Sequence, residues 1–397
     1  MNRIGFRTIT SSIKIDYSTN ESEIIVQLEK IANQIKIIEK KYDRIKTLRI
    51  SIVFNETLSI SSLPGLINKL LFIKKASEKI SIRWLSLSLK SNQFDNFENI
   101  SGIVRTIILK ISNIFVHLIV SKNSKKVFEY YARTIIEVSR ISYNGFENFR
   151  LGISNGNTNN TPFFPFANFE ENLSFSVGLE SLKDLIDECY SNPDLSASNK
   201  VQNFQEKLSY SLEDINNYLL ENSILIYKGI DASLAPIPQT NQSIGLLYEF
   251  LGISTLGNLG SLSITSRLTD LINNAFKVSN AVKAGFNGVM FSPLEDDWLA
   301  KQSVQGILNI ESLMLYSTVC GCGIDMIPLP GDVFGETIAS LICDIITLSF
   351  KLEKPLGIRV LPIPGKFSND KTNFNHDFLS DMKIINIQGS TIPDINF

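Results

Sequence analysis

Cysteine and aspartate beside glycine and proline mark where this 397-residue chain could do chemistry. It has two histidines and four cysteines. The commonest acid–base side chain is therefore almost missing, and reactive roles fall to cysteine, carboxylate, lysine, arginine or a cofactor. Three segments stand out: Asp231-Ala232-Ser233-Leu234-Ala235-Pro236-Ile237-Pro238, Cys320-Gly321-Cys322-Gly323-Ile324-Asp325-Met326-Ile327-Pro328-Leu329-Pro330-Gly331-Asp332, and Leu361-Pro362-Ile363-Pro364-Gly365-Lys366. Each contains Pro-x-Pro. Proline has no amide donor and a fixed φ, so these segments read as stiff exits from strands, with glycine allowing the turn that follows. If the exits share one end of a sheet, Asp231, Asp325, Asp332 and Lys366 converge there.

Each residue has a chemical reading and a plainer one. Cys320, followed by a glycine at the end of a helix over 310–319, could be a nucleophile or an electron or proton partner, because backbone donors lower a thiol's pKa. Its plainer role is a small buried residue in a tight turn. Cys320 and Cys322 together could make a redox pair or two soft metal ligands, although His117 and His376 supply poorly the further ligands that zinc needs. Asp325 is the candidate base. Asp325 with Asp332 could also hold Mg²⁺ or Ca²⁺, which take oxygen ligands. Asp332 is equally placed to cap a helix starting near Val333, and Asp231 to close a turn on its own backbone. Arg7, Arg359 and Lys366 could clamp a carboxylate or phosphate, and Asp231 would face the same substrate. Phe163, Phe164 and Phe166, which follow a polar stretch over 155–162, could seal the site from water. His117 falls on the apolar phase of a strand and reads as a core imidazole, whereas His376 reads as solvated. Gly257-Asn258-Leu259-Gly260 lacks the spacing of a phosphate-binding or dinucleotide loop.

The elements that must position these residues alternate in type. Strand patterns over 6–15, 48–54, 82–89, 115–120, 149–154, 173–178 and 224–230 are separated by helical patterns over 24–38, 62–79, 100–112, 125–141 and 182–222, the last broken at Asn192-Pro193. A further helix is expected over 333–350. Strands joined by helices of this length favour crossover connections and a parallel or mixed sheet, so the fold class is α/β. No internal linker divides residues 1–366, which read as one domain, followed by a polar extension over 367–397.

Bulk properties narrow the partners. With 38 basic against 40 acidic side chains, a formal charge of −2 and 44% hydrophobic residues, the chain is globular and lacks the basic field that nucleic acid or anionic membrane would need. The start lacks a secretory apolar run, and the cysteines form no disulfide framework, so a cytoplasmic protein with reduced thiols is expected. The amphipathic helix over 24–38 could also serve a homo-oligomer.

Several segments together resemble one family. Arg7-Thr8-Ile9-Thr10, Thr161-Pro162-Phe163-Phe164-Pro165, Ser176-Val177-Gly178-Leu179-Glu180, Gly285-Phe286-Asn287-Gly288-Val289-Met290, Glu295-Asp296-Asp297 and the two Pro-x-Pro-Gly segments occur in the order seen in the DUF711, or UPF0210, family. The resemblance implies a fold like that of the pyruvate formate-lyase-like glycyl radical enzymes: an α/β barrel with helices outside and loops meeting at an internal site. It does not carry over their reaction. Those enzymes keep an Arg-Val-x-Gly motif, whereas Arg359-Val360 here precedes Leu361-Pro362. Cys322 also departs from the family pattern. The expectation is an enzyme acting on a small polar or anionic metabolite through Cys320 and Asp325, without a glycyl radical. The alternative is a non-catalytic small-molecule or metal-binding protein on the same scaffold.

Overall fold

The computed structural model describes residues 4–392, apart from 159, 240, 307 and 390. The first residues of the opening segment, Asn159 of the polar stretch, and residues 393–397 of the C-terminal extension lie outside the described set.

The first half builds a parallel ladder. Strands β1 (Phe6–Ile15), β2 (Leu48–Phe54), β3 (Trp84–Lys90), β4 (Ile114–Ile119) and β5 (Leu151–Ser154) alternate with helices α1 (Glu21–Glu39), α2 (Leu63–Glu78), α3 (Ile100–Lys110) and α4 (Lys125–Ser139). The second half adds β6 (Ser174–Leu179), α5 (Ser181–Ser191), α6 (Ala197–Asn222), β7 (Ile226–Asp231), α7 (Ile244–Phe250), α8 (Ser261–Ser279), α9 (Asp297–Gln302), α10 (Ile310–Ser317), β8 (Gly323–Pro330), α11 (Gly335–Leu352) and β9 (Gly357–Ile363). Among the described residues these strands form one nine-stranded sheet in the order β7-β6-β1-β2-β3-β4-β5-β9-β8. Neighbours are parallel except at β1–β6 and β5–β9, which are antiparallel. The mixed α/β class expected from the alternating pattern is the class observed. No helix among the described residues is long and apolar enough to cross a membrane.

Antiparallel contacts at those two places set the five central strands β1–β5 against two flanking pairs, β7-β6 and β9-β8, which run in the opposite direction. The C-terminal ends of β6–β9 therefore meet the N-terminal ends of β1–β5. All three Pro-x-Pro segments lie at this one end. The prolines do not simply leave the strands, however. Pro328 and Pro330 sit inside β8, opposite Leu361 and Ile363, and Pro362 sits inside β9. Proline is tolerated because β8 is the last strand of the ladder, and β9 pairs with β5 only at Gly357 and Ile358. Asp332 also differs from the capping role. It is exposed in a turn, and α11 starts at Gly335 with Phe334 as its N-cap and no side-chain capping bond.

Strand alternation explains both faces of the sheet. On β3, Leu85, Leu87 and Leu89 join the main core, while Ser86 and Ser88 face the other way. Residues 160–171 cross that second face as an irregular segment with buried carbonyls that need donors. Strand hydroxyls supply them. Thr10 donates to the Pro162 carbonyl at 2.7 Å, Ser86 to Pro165 at 3.1 Å, and Ser51 and Ser88 to Ala167 at 3.2 and 3.0 Å. His117 lies in the same layer, fully buried, with Nδ1 3.2 Å from the Ser88 hydroxyl and Nε2 2.7 Å from that of Ser154. Burial lowers its pKa to about 3, so it is a neutral core imidazole.

Outside the named strands, residues 283–291 run alongside β7. Lys283 bridges Ile230 and Val289 bridges Leu234, both in parallel sense, and the Gly321 amide donates to the Val289 carbonyl at 2.8 Å. Gly288 and Gly321 make this approach possible, since a Cβ on Gly288 would lie 2.8 Å from the Gly321 backbone. After β9 the chain folds back, pairing Lys371 with Lys383 and burying Phe374, Leu379, Met382 and Ile384.

Candidate functional site

A cavity of about 410 Å³ opens at the end of the sheet that carries the N-terminal ends of β1–β5 and the C-terminal ends of β6–β9. Arg7, Arg49 and Trp84 enter it from the starts of β1, β2 and β3, Phe115 from β4, and Arg359 from β9. Ile237, Pro238 and Gln239 line it just after β7, Phe164 comes from the crossing segment, and Asp377 and Phe378 from the C-terminal chain. Open sheets place ligands beyond the carboxyl ends of their strands. Here the carboxyl ends of β6–β9 lie beside the amino ends of β1–β5, so strands of both directions contribute.

Arg359 is held by carboxylates. Its Nε and Nη2 donate to the two oxygens of Asp325 at 2.6 and 2.8 Å, and Nη2 also donates to Glu295 Oε2 at 2.9 Å. Nη1 reaches the Phe149 carbonyl at 3.4 Å. Burial alone would lower the Arg359 pKa, but Asp325 and Glu295 together raise it above the ordinary guanidinium value. The opposite direction in Asp325, whose carboxyl is raised by burial while Arg359 pulls it down, does not outweigh this two-pronged contact. The pair is ionic. Asp325 is thus fully occupied with orienting Arg359.

Arg7 and Arg49 differ from Arg359 because neither has a carboxylate within ion-pair distance among the described residues. Arg7 donates through Nη2 to the Pro236 carbonyl at 3.0 Å, while Arg49 donates through Nε to the Thr47 hydroxyl at 3.2 Å and lies 5.1 Å from the Phe164 ring centroid. Burial lowers both pKa values, with Arg7 and Arg359 adding repulsion at Arg49, which is pushed down to about 9. A guanidinium does not give up its proton in proteins, so both side chains are cations. Their remaining guanidinium donors make a ready clamp for an anion. Lys46, also on the wall, is paired with Glu180.

Glu295 supplies a proton acceptor to the same cavity. Its Oε2 accepts from the Ser292 hydroxyl at 2.6 Å and from Arg359, while Oε1 has no partner among the described residues. The neighbouring Asp296 does something else: fully buried, it accepts from the Ile244, Trp298 and Leu299 amides and the Ser243 hydroxyl, and so ties together the starts of α7 and α9.

The other sequence candidates lie elsewhere. Asp231 is fully buried and accepts from Thr161, the Ser233 amide and hydroxyl, and the amides of Phe286 and Asn287. It fastens three segments, at a place where a Cβ on Gly285 would come within 2.0 Å of its Oδ2. Phe163 and Phe166 turn from the cavity into a second apolar cluster with Phe286, Met290 and Cys322. Lys366 is half-buried beyond β9 and, like Asp332, does not line the cavity. No group of three or more His, Cys, Asp or Glu among the described residues is arranged to hold a metal ion, and both Asp325 oxygens are used by Arg359.

Cys320 and Cys322 precede β8 at the opposite end of that strand from Pro330. Both are buried, and neither lines the cavity. Hydrogen bonding from Cys322 lowers the Cys320 pKa to about 6 against the effect of burial, with Lys354 assisting, and the same contact raises Cys322. Lys354 itself caps the end of α10, donating to the carbonyls of Ser317, Thr318 and Cys320 at 3.1, 3.0 and 2.6 Å.

Arg49, Glu295 and Trp84 had no role assigned from the sequence. Arg49 left a readable trace: on the expected strand 48–54 it is a lone charge on the same phase as Ser51, facing away from Ile50 and Ile52. Glu295 lay inside a quoted motif, but nothing local separated it from its two acidic neighbours.

A family model described as "Uncharacterised ACR (DUF711)" matches residues 1–377. Similar proteins include a "UPF0210 protein" of Oleidesulfovibrio alaskensis, 31% identical over 160 residues covering 40% of this chain and 35% of the relative. Another from Caldicellulosiruptor saccharolyticus is 32% identical over 215 residues, covering 54% and 45%, and one from Pyrobaculum arsenaticum is 29% identical over 144 residues, covering 36% and 32%. The chain thus spans about a third to just under half of the length of these curated relatives. With the family match extending from the start of the chain across all nine strands, this protein belongs to the DUF711 family.

Proposed function

We propose that the chain is an enzyme that binds a small anionic metabolite in the arginine cavity and moves a proton on it. Arg7 and Arg49 take the anion. Glu295 Oε1 accepts a proton from a neighbouring C–H or O–H bond of the ligand, whose electron pair stays on the ligand. Arg359 is a positioning residue, locked by Asp325 and holding Glu295. One observation carries this reading: among the described residues, two guanidiniums with no carboxylate at ion-pair distance share a cavity with a carboxylate oxygen that accepts no hydrogen bond. General-base catalysis needs such an acceptor within reach of the substrate.

The barrel belongs to the same proposal. Residues 283–291, bridged to β7 on one side and hydrogen-bonded at Gly321 next to β8 on the other, would close the nine strands into a ring around the crossing segment. That ring would leave the arginine end as the entrance.

Calorimetry with acetate and inorganic phosphate tests the binding step. Arg49→Gln should weaken whichever anion binds by about tenfold or more. Equal binding by wild type and variant overturns the clamp. For the second step, incubation with mixed 2-hydroxy and 2-oxo acids in D2O should give deuterium incorporation that Glu295→Gln abolishes. Persistence in that variant removes Glu295 from the role.

A second reading keeps Cys320 as the reactive group, supported by its lowered pKa of about 6. It requires a ligand to pass from the cavity toward the second apolar cluster. Cys320→Ser distinguishes the two: exchange that survives the substitution excludes the thiol. A purely binding protein would retain the Arg49 effect without any exchange.

A further inference from the structure

Resting on the anion-binding reading, we infer that the cavity selects a monocarboxylate attached to a flat apolar body, an aryl or similarly planar acid. Two features of the walls lead there, one counting charge and the other shape.

Three guanidiniums face the cavity, those of Arg7, Arg49 and Arg359. Two carboxylates, Asp325 and Glu295, are bound into the same network through Arg359. Lys46 pairs with Glu180, which also acts on Arg7, and together the two add no net charge. Asp377 stands exposed at the rim, where water screens it. The inner network therefore keeps an excess of one positive charge. A ligand with one negative charge brings it to neutrality, whereas a second ligand charge would have to be desolvated beside Glu295 and Asp325 without a cation of its own. Burial lowers the Arg49 pKa most, and repulsion from Arg7 and Arg359 adds to it.

Aromatic rings form much of the remaining wall: Trp84, Phe115, Phe149, Phe164 and Phe378. They are joined edge to face or stacked, with Trp84 and Phe115 centroids 5.8 Å apart, Phe115 and Phe149 5.4 Å, and Phe149 and Phe378 6.4 Å with planes within 9°. Such a lined wall offers ring faces and edges to a planar group, the geometry in which aromatic pairs gain most. A small anion without a body would leave these rings facing water. The two guanidiniums fix one end of the ligand and the rings the other, with Glu295 beside them.

The full chain can be titrated by calorimetry at pH 7.5 with phenylacetate, acetate and phenyl phosphate. Phenylacetate should bind about tenfold or more tightly than acetate, and more tightly than phenyl phosphate, which is mostly dianionic at that pH. Phe378→Ala, at an exposed position of the C-terminal chain, should bring the phenylacetate-to-acetate ratio several-fold closer to one. Acetate equal to phenylacetate would overturn the planar body, and a preference for phenyl phosphate would overturn the single charge. In either case an Arg49-dependent anion would leave the broader binding proposal standing. Binding of none of the three would overturn both.

Discussion

The arginine cavity and the Cys320–Cys322 turn both hold ionisable groups displaced from ordinary behaviour, but they differ in what those groups touch. At the turn, Lys354 spends its donors on three carbonyls and the two thiols serve each other. In the cavity, among the described residues, Arg7 and Arg49 keep donors unspent and Glu295 keeps an oxygen free. The pKa shifts come first from burial at Arg7 and Arg49 and from the thiol–thiol hydrogen bond at the turn. Unused hydrogen-bonding capacity beside open volume marks only the cavity, and that is the stronger sign of a ligand.

The contrast predicts that substitutions at the turn and within closed ion pairs cost stability, whereas those at Arg7 or Arg49 cost binding. Asp325→Ala should be the most damaging, since it strips Arg359 of its two-pronged partner and leaves a buried guanidinium with Glu295 alone. A loss of about 3–5 kcal/mol in urea unfolding is expected. A loss below about 1 kcal/mol would place Asp325 with the binding residues instead. Lys354→Met keeps most of the apolar stem but uncaps α10, for a cost of about 1.5–3 kcal/mol. Should that variant unfold like wild type, the turn would not be the closed structural unit described.

His117 sharpens the comparison through pH. Its pKa is about 3 in the folded chain against 6.5 unfolded, so between those values the unfolded chain binds the extra proton. The contribution is fully present above about 6.5 and falls as pH drops toward 3, by up to about 1.4 kcal/mol per unit. Urea midpoints at pH 7 and pH 5 should separate by more in wild type than in His117→Asn. Equal separations would mean the imidazole is not buried neutral.

The smallest stability effect is expected at Arg49. Arg49→Gln relieves repulsion from Arg7 and Arg359, so its unfolding free energy should change by less than about 0.5 kcal/mol or rise slightly, while anion binding weakens. A large stability loss would show that Arg49 is structural and would erase the distinction between the two regions.

Much of the scaffold was legible because its signals are local. The boundaries of β1 and β2 follow from alternation, and the isoleucines from Ile24 to Ile38 at helical spacing lie buried on α1. Pro328, Pro330 and Pro362 were harder. Proline argues against a central strand, and only the edge position of β8 and the short β5–β9 pairing make room for it. The Phe163–Phe166 run showed that something packs there, yet alternation could not say that Phe164 would face the cavity while Phe163 and Phe166 join Cys322.

By itself the sequence determined the α/β class, the succession of elements, and that Arg7, Asp325 and Arg359 belong to motif-bearing segments. These depend on residue type and short-range periodicity. Only the tertiary structure decided which charges are already spent. Arg359 meets Asp325 across a strand pair 34 residues apart and Glu295 from a separate short helix, while Arg49 meets neither. The two antiparallel junctions, β1–β6 and β5–β9, bring opposite strand ends together. Net charge records how many ions a chain carries, but their pairing is set by long-range register, and that pairing leaves Arg7 and Arg49 without a carboxylate at ion-pair distance among the described residues.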